Sequence, residues 1–278
     1  MFDGPATHGG MVNNERVLPR SFVRQSARSA SGFTIEPSMV AVGSLFVSLL
    51  SLKSLLSFAE FVHGDLVDLG CGTAPHRVWY EGRVSSVTRV DWPGSPHDVA
   101  HVDVLADLNE RLPLESESAD TVILTSVLEH LRSPQTALAE VRRILRPQGV
   151  ALIQVPFLYH VHEAPHDYFR YTRFGLDELL QSAGLRGVAG EAYGNLAAVL
   201  VDLGAKGGEL IALGLGRHLP PELGGFARDG VVSLVRFLQL AASELLSQSC
   251  VRRLSDALGD PERFPLGYTV VAKPEGGD

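Results

Sequence analysis

Asp68-Leu69-Gly70-Cys71-Gly72 ends a short apolar run in a tight glycine turn, a combination that lets backbone come close to a bound molecule. Asp91 closes a second apolar run 21 positions after Gly70, where a carboxylate can accept hydrogen bonds from both hydroxyls of a ribose. Asp107-Leu108 follows a third run, placed to meet the edge and face of an adenine. A lone Gly-x-Gly suits two kinds of nucleotide. A dinucleotide fingerprint wants a third glycine at position 75, where this chain has Pro75. S-adenosylmethionine has no phosphate and needs the ribose carboxylate and a close backbone, so the missing glycine favours it over NAD.

A second set of residues could move a proton. Glu129-His130 and the run His160-Val161-His162-Glu163-Ala164-Pro165-His166-Asp167-Tyr168 concentrate imidazoles and carboxylates. A histidine with an ordinary pKa of about 6.5 accepts a proton near neutral pH, which makes His130, His162 and His166 the candidate bases. Glu129, Tyr159, Glu163, Asp167, Tyr168, Arg170 and Tyr171 are the candidate acceptor contacts, and Phe169 joins the tyrosines as a stacking wall. The plainer readings are a turn cap for His130 and loop-ordering bonds among the histidines, Asp167 and Arg170. His, Glu and Asp here could also ligate a divalent metal, but their spacing matches no specific pattern and no metal is expected.

An α/β rhythm must position these groups. Leu66–Leu69, Val84–Val90, Asp98–Val104, Ala119–Leu124 and Val150–Val155 read as strands. Ser133-Pro134 opens a helix, as a side-chain cap followed by proline where no amide donor is needed, and Pro147-Gln148-Gly149 stops it. Leu45–Val62 reads as an amphipathic helix, Gly175 to Ala183 as another, and Val188–Tyr193 and Tyr268–Ala272 as late strands. Residues 195–256 are helical in pattern, with breaks expected at Gly207-Gly208 and Pro220-Pro221. Strands alternating with helices predict a mostly parallel sheet covered on both faces, with ligands at the carboxyl ends of the strands.

Composition bounds the function. Apolar residues are 45% and charged residues 20% of 278, ordinary for a chain that buries a core. Lys plus Arg is 24 against 32 for Asp plus Glu, a net charge of −8, which argues against a protein held on nucleic acid by bulk charge. Cys71 and Cys250 form no CxxC pair, so neither a disulfide framework nor a cysteine zinc site is expected. The first thirty residues carry Arg16, Arg20, Arg24 and Arg28 without an apolar signal core, and a cytoplasmic location is expected. The uncharged stretch Pro37–Leu52 is shorter than the roughly 20 apolar residues a span requires. The apolar helices leave a peripheral membrane contact or a homodimer face open.

In order and spacing, several segments resemble the class I S-adenosylmethionine-dependent methyltransferases, most closely the small-molecule branch called type 11. They are Leu66-Val67-Asp68-Leu69-Gly70-Cys71-Gly72-Thr73, Val90-Asp91, Ala106-Asp107-Leu108 before Leu112-Pro113-Leu114, Ala119-Asp120-Thr121-Val122-Ile123-Leu124, Val127-Leu128-Glu129-His130-Leu131 and Arg143-Ile144-Leu145-Arg146-Pro147-Gln148-Gly149. The resemblance covers about residues 64–156. It implies a Rossmann-like seven-stranded sheet, mostly parallel with the last strand antiparallel, here with a late helical insertion. It also implies S-adenosylmethionine contacts from Asp68, Gly70, Gly72, Asp91, Asp107, Leu108 and Ser126, with Cys71 and Trp92 beside them. The chain departs from the family between Asp91 and Asp98, too short for the usual helix, and at Gln148, where glycine is common.

The expected organisation is a flexible arm over 1–36 and a methyltransferase domain over 37–278. Within that domain lie a cofactor core at 64–156, an acceptor loop at 157–175 and a helical cap or insertion at 195–260. The Ala-Pro-His-Asp-Tyr-Phe-Arg-Tyr-Thr segment resembles methyltransferases found with glycan and natural-product pathways. The expected activity is methylation of a hydroxyl on a small-molecule or glycoside acceptor, with N- or C-methylation and a non-catalytic cofactor-binding scaffold as alternatives. A nucleic-acid acceptor is disfavoured, because Ser126-Val127-Leu128-Glu129-His130 lacks the Asp/Asn-Pro-Pro-aromatic run of base-amino methyltransferases.

Overall fold

The computed structural model describes residues 21–27, 29, 31–247 and 261–276. Two short strands, β1 (Val23–Gln25) and β2 (Phe33–Ile35), pair antiparallel ahead of helix α1 (Leu45–Ser57). Then come β3 (Asp65–Leu69), α2 (Arg77–Tyr80), β4 (Ser86–Asp91), β5 (Val104–Leu105), β6 (Ala119–Thr125), α3 (Pro134–Ile144) and β7 (Leu145–Pro156). The chain finishes with α4 (Arg173–Ser182), β8 (Leu185–Tyr193), α5 (Leu196–His218), α6 (Pro221–Ser247) and β9 (Gly267–Pro274).

Seven strands form one sheet in the order β5-β4-β3-β6-β7-β9-β8, with β9 antiparallel to both neighbours and the other pairings parallel. Side chains alternate across it, as strand geometry requires. Leu66, Ile123, Val150 and Leu152 point to the layer that holds α1, Val23 and Ile35. Val67, Leu69, Val122, Leu124, Ala151 and Ile153 point to the layer holding Leu138 and Val141 of α3 and Leu176 and Leu180 of α4. The central strands are therefore apolar on both faces, as a doubly covered parallel sheet demands. The chain leaves β3 toward β4 on one side and leaves β6 toward β7 on the other. The two carboxyl ends between them form the switch point where such sheets bind ligands.

Several elements differ from the sequence reading. The hairpin β1–β2 lies inside the segment expected as an arm; Val23 and Ile35 are buried, and apolar burial orders it. Residues 1–20, also in that segment, lie outside the described residues. The third strand is only Val104–Leu105, because residues 92–103 form turns. Pro75 precedes a helix of four residues rather than sitting in its first turn. Ser133 makes no side-chain cap; its backbone amide instead donates to Asn109 Oδ1 at 2.9 Å.

Helix α5 runs unbroken through Gly207-Gly208. A Cβ on Gly208 would collide with the Val235 side chain, so this glycine permits close approach of α6. The α5–α6 pair docks on the region before α1. Gln239 on α6, almost fully buried, accepts from the Phe46 amide at 2.9 Å and donates to the Val42 carbonyl at 2.6 Å. Leu200, Leu210, Phe226 and Phe237 on its outer side are exposed. No helix of the described residues is long and apolar enough to cross a membrane. Cys250 and the rest of the 248–260 stretch lie outside the described residues.

Candidate active site

The glycine turn after β3 needs left-handed backbone at Gly70 and Gly72, with φ of 69° and 53°. A Cβ on Gly70 would stand 2.6 Å from Val127 Cγ2, so the turn and the loop after β6 press together at the switch point. The amides of Gly70 and Cys71 both donate to the Val90 carbonyl, at 2.8 and 3.1 Å, which ties the turn to the end of β4. Ser126 also holds a positive φ, 53°, and its amide donates to the Gln154 carbonyl at 2.9 Å.

Two buried carboxylates flank this turn. Asp68 accepts from the Tyr80 hydroxyl at 2.7 Å, and burial raises its pKa to about 6. Asp91 accepts from the Trp92 amide at 2.7 Å and from the Ser95 hydroxyl at 3.4 Å. The Trp92 indole beside it is exposed. Asp107 Oδ1 accepts from both nitrogens of Asn109, at 2.9 and 2.7 Å, in a local turn. Leu108 is buried in the core beyond it. Burial, reinforced by the neighbouring Asp68 and Asp91 carboxylates, holds the Cys71 thiol protonated far above the usual thiol range and therefore inert.

The second set of residues comes together from two loops. The loop after β6 carries Glu129 and His130, and the loop after β7 carries His162, Glu163 and His166. The amides of Tyr168 and Phe169 both donate to the Glu129 carbonyl, at 2.8 and 3.3 Å, clamping one loop on the other. His130 and His162 meet edge to face with ring centroids 4.7 Å apart. His166 stands edge-on to Trp92 at 5.3 Å, which joins the histidine loop to the Asp91 turn. Burial and the neighbouring His130 lower the pKa of His162, so its imidazole stays neutral. Glu129 is fully buried, and burial raises its pKa to about 8.

Among the remaining candidates, Arg170, Asp167 and Tyr171 brace the loop. Arg170 grips Asp167 with two bonds of 2.6 and 2.8 Å and also donates to the carbonyls of Tyr159, His160 and Phe169. This pairing holds the Asp167 carboxyl far below the usual carboxylate range. Tyr171 is buried and donates to the Leu128 carbonyl at 2.9 Å. Tyr159 lies against Ser44 and Lys206, at the edge of the α5–α6 pair. Tyr168 stays half exposed, with its hydroxyl 3.1 Å from both Arg132 Nε and His166 Nδ1.

Two residues escaped the sequence reading. His101 is almost fully buried, with Nε2 2.8 Å from the Gly72 carbonyl, and His97 Nε2 lies 3.9 Å from Glu163 Oε1. Both sit in the turns that replace a helix after β4. Their signal was two histidines in the short stretch between Asp91 and Val104.

A strand order with one antiparallel member, a glycine turn at the switch point and two buried carboxylates beside it define a class of cofactor-binding domain. The glycine turn and both carboxylates lie in a stretch that is similar to the class I S-adenosylmethionine-dependent methyltransferases. Residues 67–153 match the family described as a methyltransferase domain.

Two curated proteins are similar in sequence. A malonyl-[acyl-carrier protein] O-methyltransferase of Hahella chejuensis is 30% identical over 161 residues, 50% of this chain and 57% of that protein. A tRNA U34 carboxymethyltransferase of Saccharophagus degradans is 32% identical over 117 residues, 37% of this chain and 35% of that one. The chain thus spans just over half of the first and about a third of the second. Among solved structures, the 1,6-didemethyltoxoflavin-N1-methyltransferase of Burkholderia thailandensis, bound to its substrate and S-adenosylhomocysteine, is 15% identical with a TM-score of 0.46. That match covers 86% of this chain and 80% of the other.

Proposed function

We propose that this protein methylates a hydroxyl of a small-molecule or glycoside acceptor with S-adenosylmethionine. The observation that carries the reading is the Trp92–His166 contact, which sets the histidine loop beside the buried Asp91 carboxylate at the carboxyl ends of the strands. Asp91 would hold the ribose, Asp68 the amino-acid end, and the Gly70–Gly72 backbone would lie along the cofactor. Ser126, Asp107, Leu108, Cys71 and Trp92 complete the wall. S-adenosylmethionine held there would supply an electrophilic methyl group to the acceptor oxygen. The chain's own part is to orient the acceptor, exclude water and receive the hydroxyl proton on a histidine nitrogen.

His130, His162 and His166 form the face where that proton leaves. Glu163 and Tyr168 are exposed beside them and would contact the acceptor. An oxygen acceptor is supported by the relative named as an O-methyltransferase. The relative named for tRNA U34 favours an RNA acceptor as a second reading, which the net charge of −8 opposes.

The test is calorimetric titration with S-adenosylmethionine, S-adenosylhomocysteine and NAD, followed by mass analysis of glycoside, small-alcohol and tRNA acceptors. Micromolar binding of the first two, none of NAD, and one added methyl on a hydroxyl are expected. Cofactor binding with no methylated acceptor leaves the scaffold reading. Methyl on nitrogen or carbon, or on tRNA alone, replaces the acceptor class.

A further inference from the structure

Glu129 has no exposed surface, and neither of its carboxylate oxygens has a hydrogen-bond partner. A buried carboxylate in that state is costly, and native proteins pair such groups with a cation or a donor. Here the groups facing it are two imidazoles. His130 Nε2 lies 3.7 Å and His162 Nε2 3.9 Å from Glu129 Oε1, both too far for a hydrogen bond. The three ligating atoms all lie within 4.8 Å of one another. A tetrahedral set around one ion spaces its ligands about 3.4 Å apart, so small side-chain rotations would close the site.

The far nitrogens are held as ligand histidines hold theirs. His130 Nδ1 is 2.7 Å from the His166 carbonyl, an acceptor only, so the proton sits on Nδ1 and the Nε2 lone pair faces Glu129. His162 Nδ1 lies 3.3 Å from both the His160 carbonyl and the Asp167 carboxylate, with Arg170 Nη2 also at 3.3 Å. Two acceptors against one donor favour the proton on Nδ1 here too. Imidazoles oriented from behind by a carbonyl and a carboxylate are the surroundings that fix a metal-ligating tautomer. A Glu129 that kept its proton would have as acceptors only these two Nε2 lone pairs, 3.7 and 3.9 Å away, and could satisfy one of them.

We propose that Glu129, His130 and His162 bind one divalent transition cation of the zinc class. Two imidazoles and a carboxylate are a donor set that such ions prefer, and three protein ligands leave a position open. Glu163 Oε2, 3.9 Å from His130 Nε2, stands at the rim of the site. An acceptor oxygen in the open position would be held and made more acidic by the ion, and the proton would pass to His166, which is not a ligand. In this form the inference deepens the methyltransferase reading at the same loops, but cation binding is measured without methyl transfer.

The experiment uses the untagged full chain, stripped with a chelator and titrated with Zn²⁺ by calorimetry and with Co²⁺ by visible absorption. One equivalent bound at micromolar affinity or tighter is expected, with tetrahedral Co²⁺ bands. Glu129→Gln and His162→Ala should each weaken binding at least a hundredfold, while His160→Ala, on an exposed histidine, keeps it within threefold. No stoichiometric uptake, or uptake unchanged by both ligand variants, overturns the site. S-adenosylhomocysteine titrated into the same samples checks folding and separates the two readings. Cofactor binding without cation binding overturns the metal site alone, and the reverse overturns the cofactor assignment alone.

Discussion

His130 donates its Nδ1 proton to the backbone carbonyl of His166, 2.7 Å away and 36 residues later in the chain. One bond thus joins the loop after β6 to the loop after β7 and sets the tautomer of His130. It also holds His166 where its ring meets Trp92. His166→Ala keeps that carbonyl and removes only the imidazole. Turnover should fall about ten- to a hundredfold with cofactor affinity kept, read by steady-state kinetics beside calorimetry. A loss confined to cofactor binding would move His166 out of the acceptor site.

Asp91→Ala should weaken cofactor binding by about a hundredfold or more, because charge-assisted hydrogen bonds contribute roughly 1.5–3 kcal/mol each and two are removed. Titration with S-adenosylhomocysteine measures it. Unchanged affinity would sink the ribose role of Asp91.

Asp68 gives a pH dependence whose sign follows from burial. Its pKa stands at about 6 against an ordinary 3.8, so the folded state holds the proton more tightly than the unfolded chain. The stabilisation is fully present below about pH 4 and is lost as pH rises toward and through about 6, a change of roughly 3 kcal/mol. Denaturant unfolding of wild type and Asp68→Asn at several pH values should show this slope in the first and not the second. Cofactor affinity should rise over the same window, since an ammonium pairs with the ionised carboxyl.

Arg170→Ala removes the guanidinium that holds Asp167 and three loop carbonyls. Hydrogen exchange should quicken over residues 159–171 and acceptor-dependent turnover should drop about tenfold or more. Cofactor affinity should hold. Protection unchanged in that segment would mean the loop is ordered by its backbone clamp on Glu129.

Gly70→Ala places a methyl group 2.6 Å from Val127 Cγ2 in a left-handed backbone, with φ at 69°. A cost of about 2–3 kcal/mol is expected in thermal or denaturant unfolding, together with weaker cofactor binding. A neutral result would show that Val127 yields freely and that the turn is not tightly seated.

The glycine turn and the carboxylates beside it were legible because these residues are local. Asp68, Gly70 and Gly72 lie in one turn, and Asp91 ends the neighbouring strand, so spacing alone placed them together. The cluster formed by the loops after β6 and β7 was legible only in its composition. Tyr171, Asp167 and Arg170 looked like acceptor contacts, yet one is a buried anchor and the other two are a bidentate clamp. A loop without periodic pattern carries no sign of which side chains face inward. Gly207-Gly208 looked like a helix break for a related reason: glycine weakens a helix, but close approach of α6 at Val235 is a tertiary fact.

From its sequence alone this protein is an α/β chain with a nucleotide-type turn, because strand and helix periodicity and the Asp-x-Gly-x-Gly step are encoded in neighbouring residues. What tertiary structure decided is the meeting of Glu129 and His130 with His162. No spacing rule could join them, since 31 residues and a whole strand separate His130 from Glu129's second imidazole partner. Parallel strands bring their following loops to the same edge of the sheet. There an unpartnered carboxylate and two lone pairs acquire a geometry that neither segment possesses by itself.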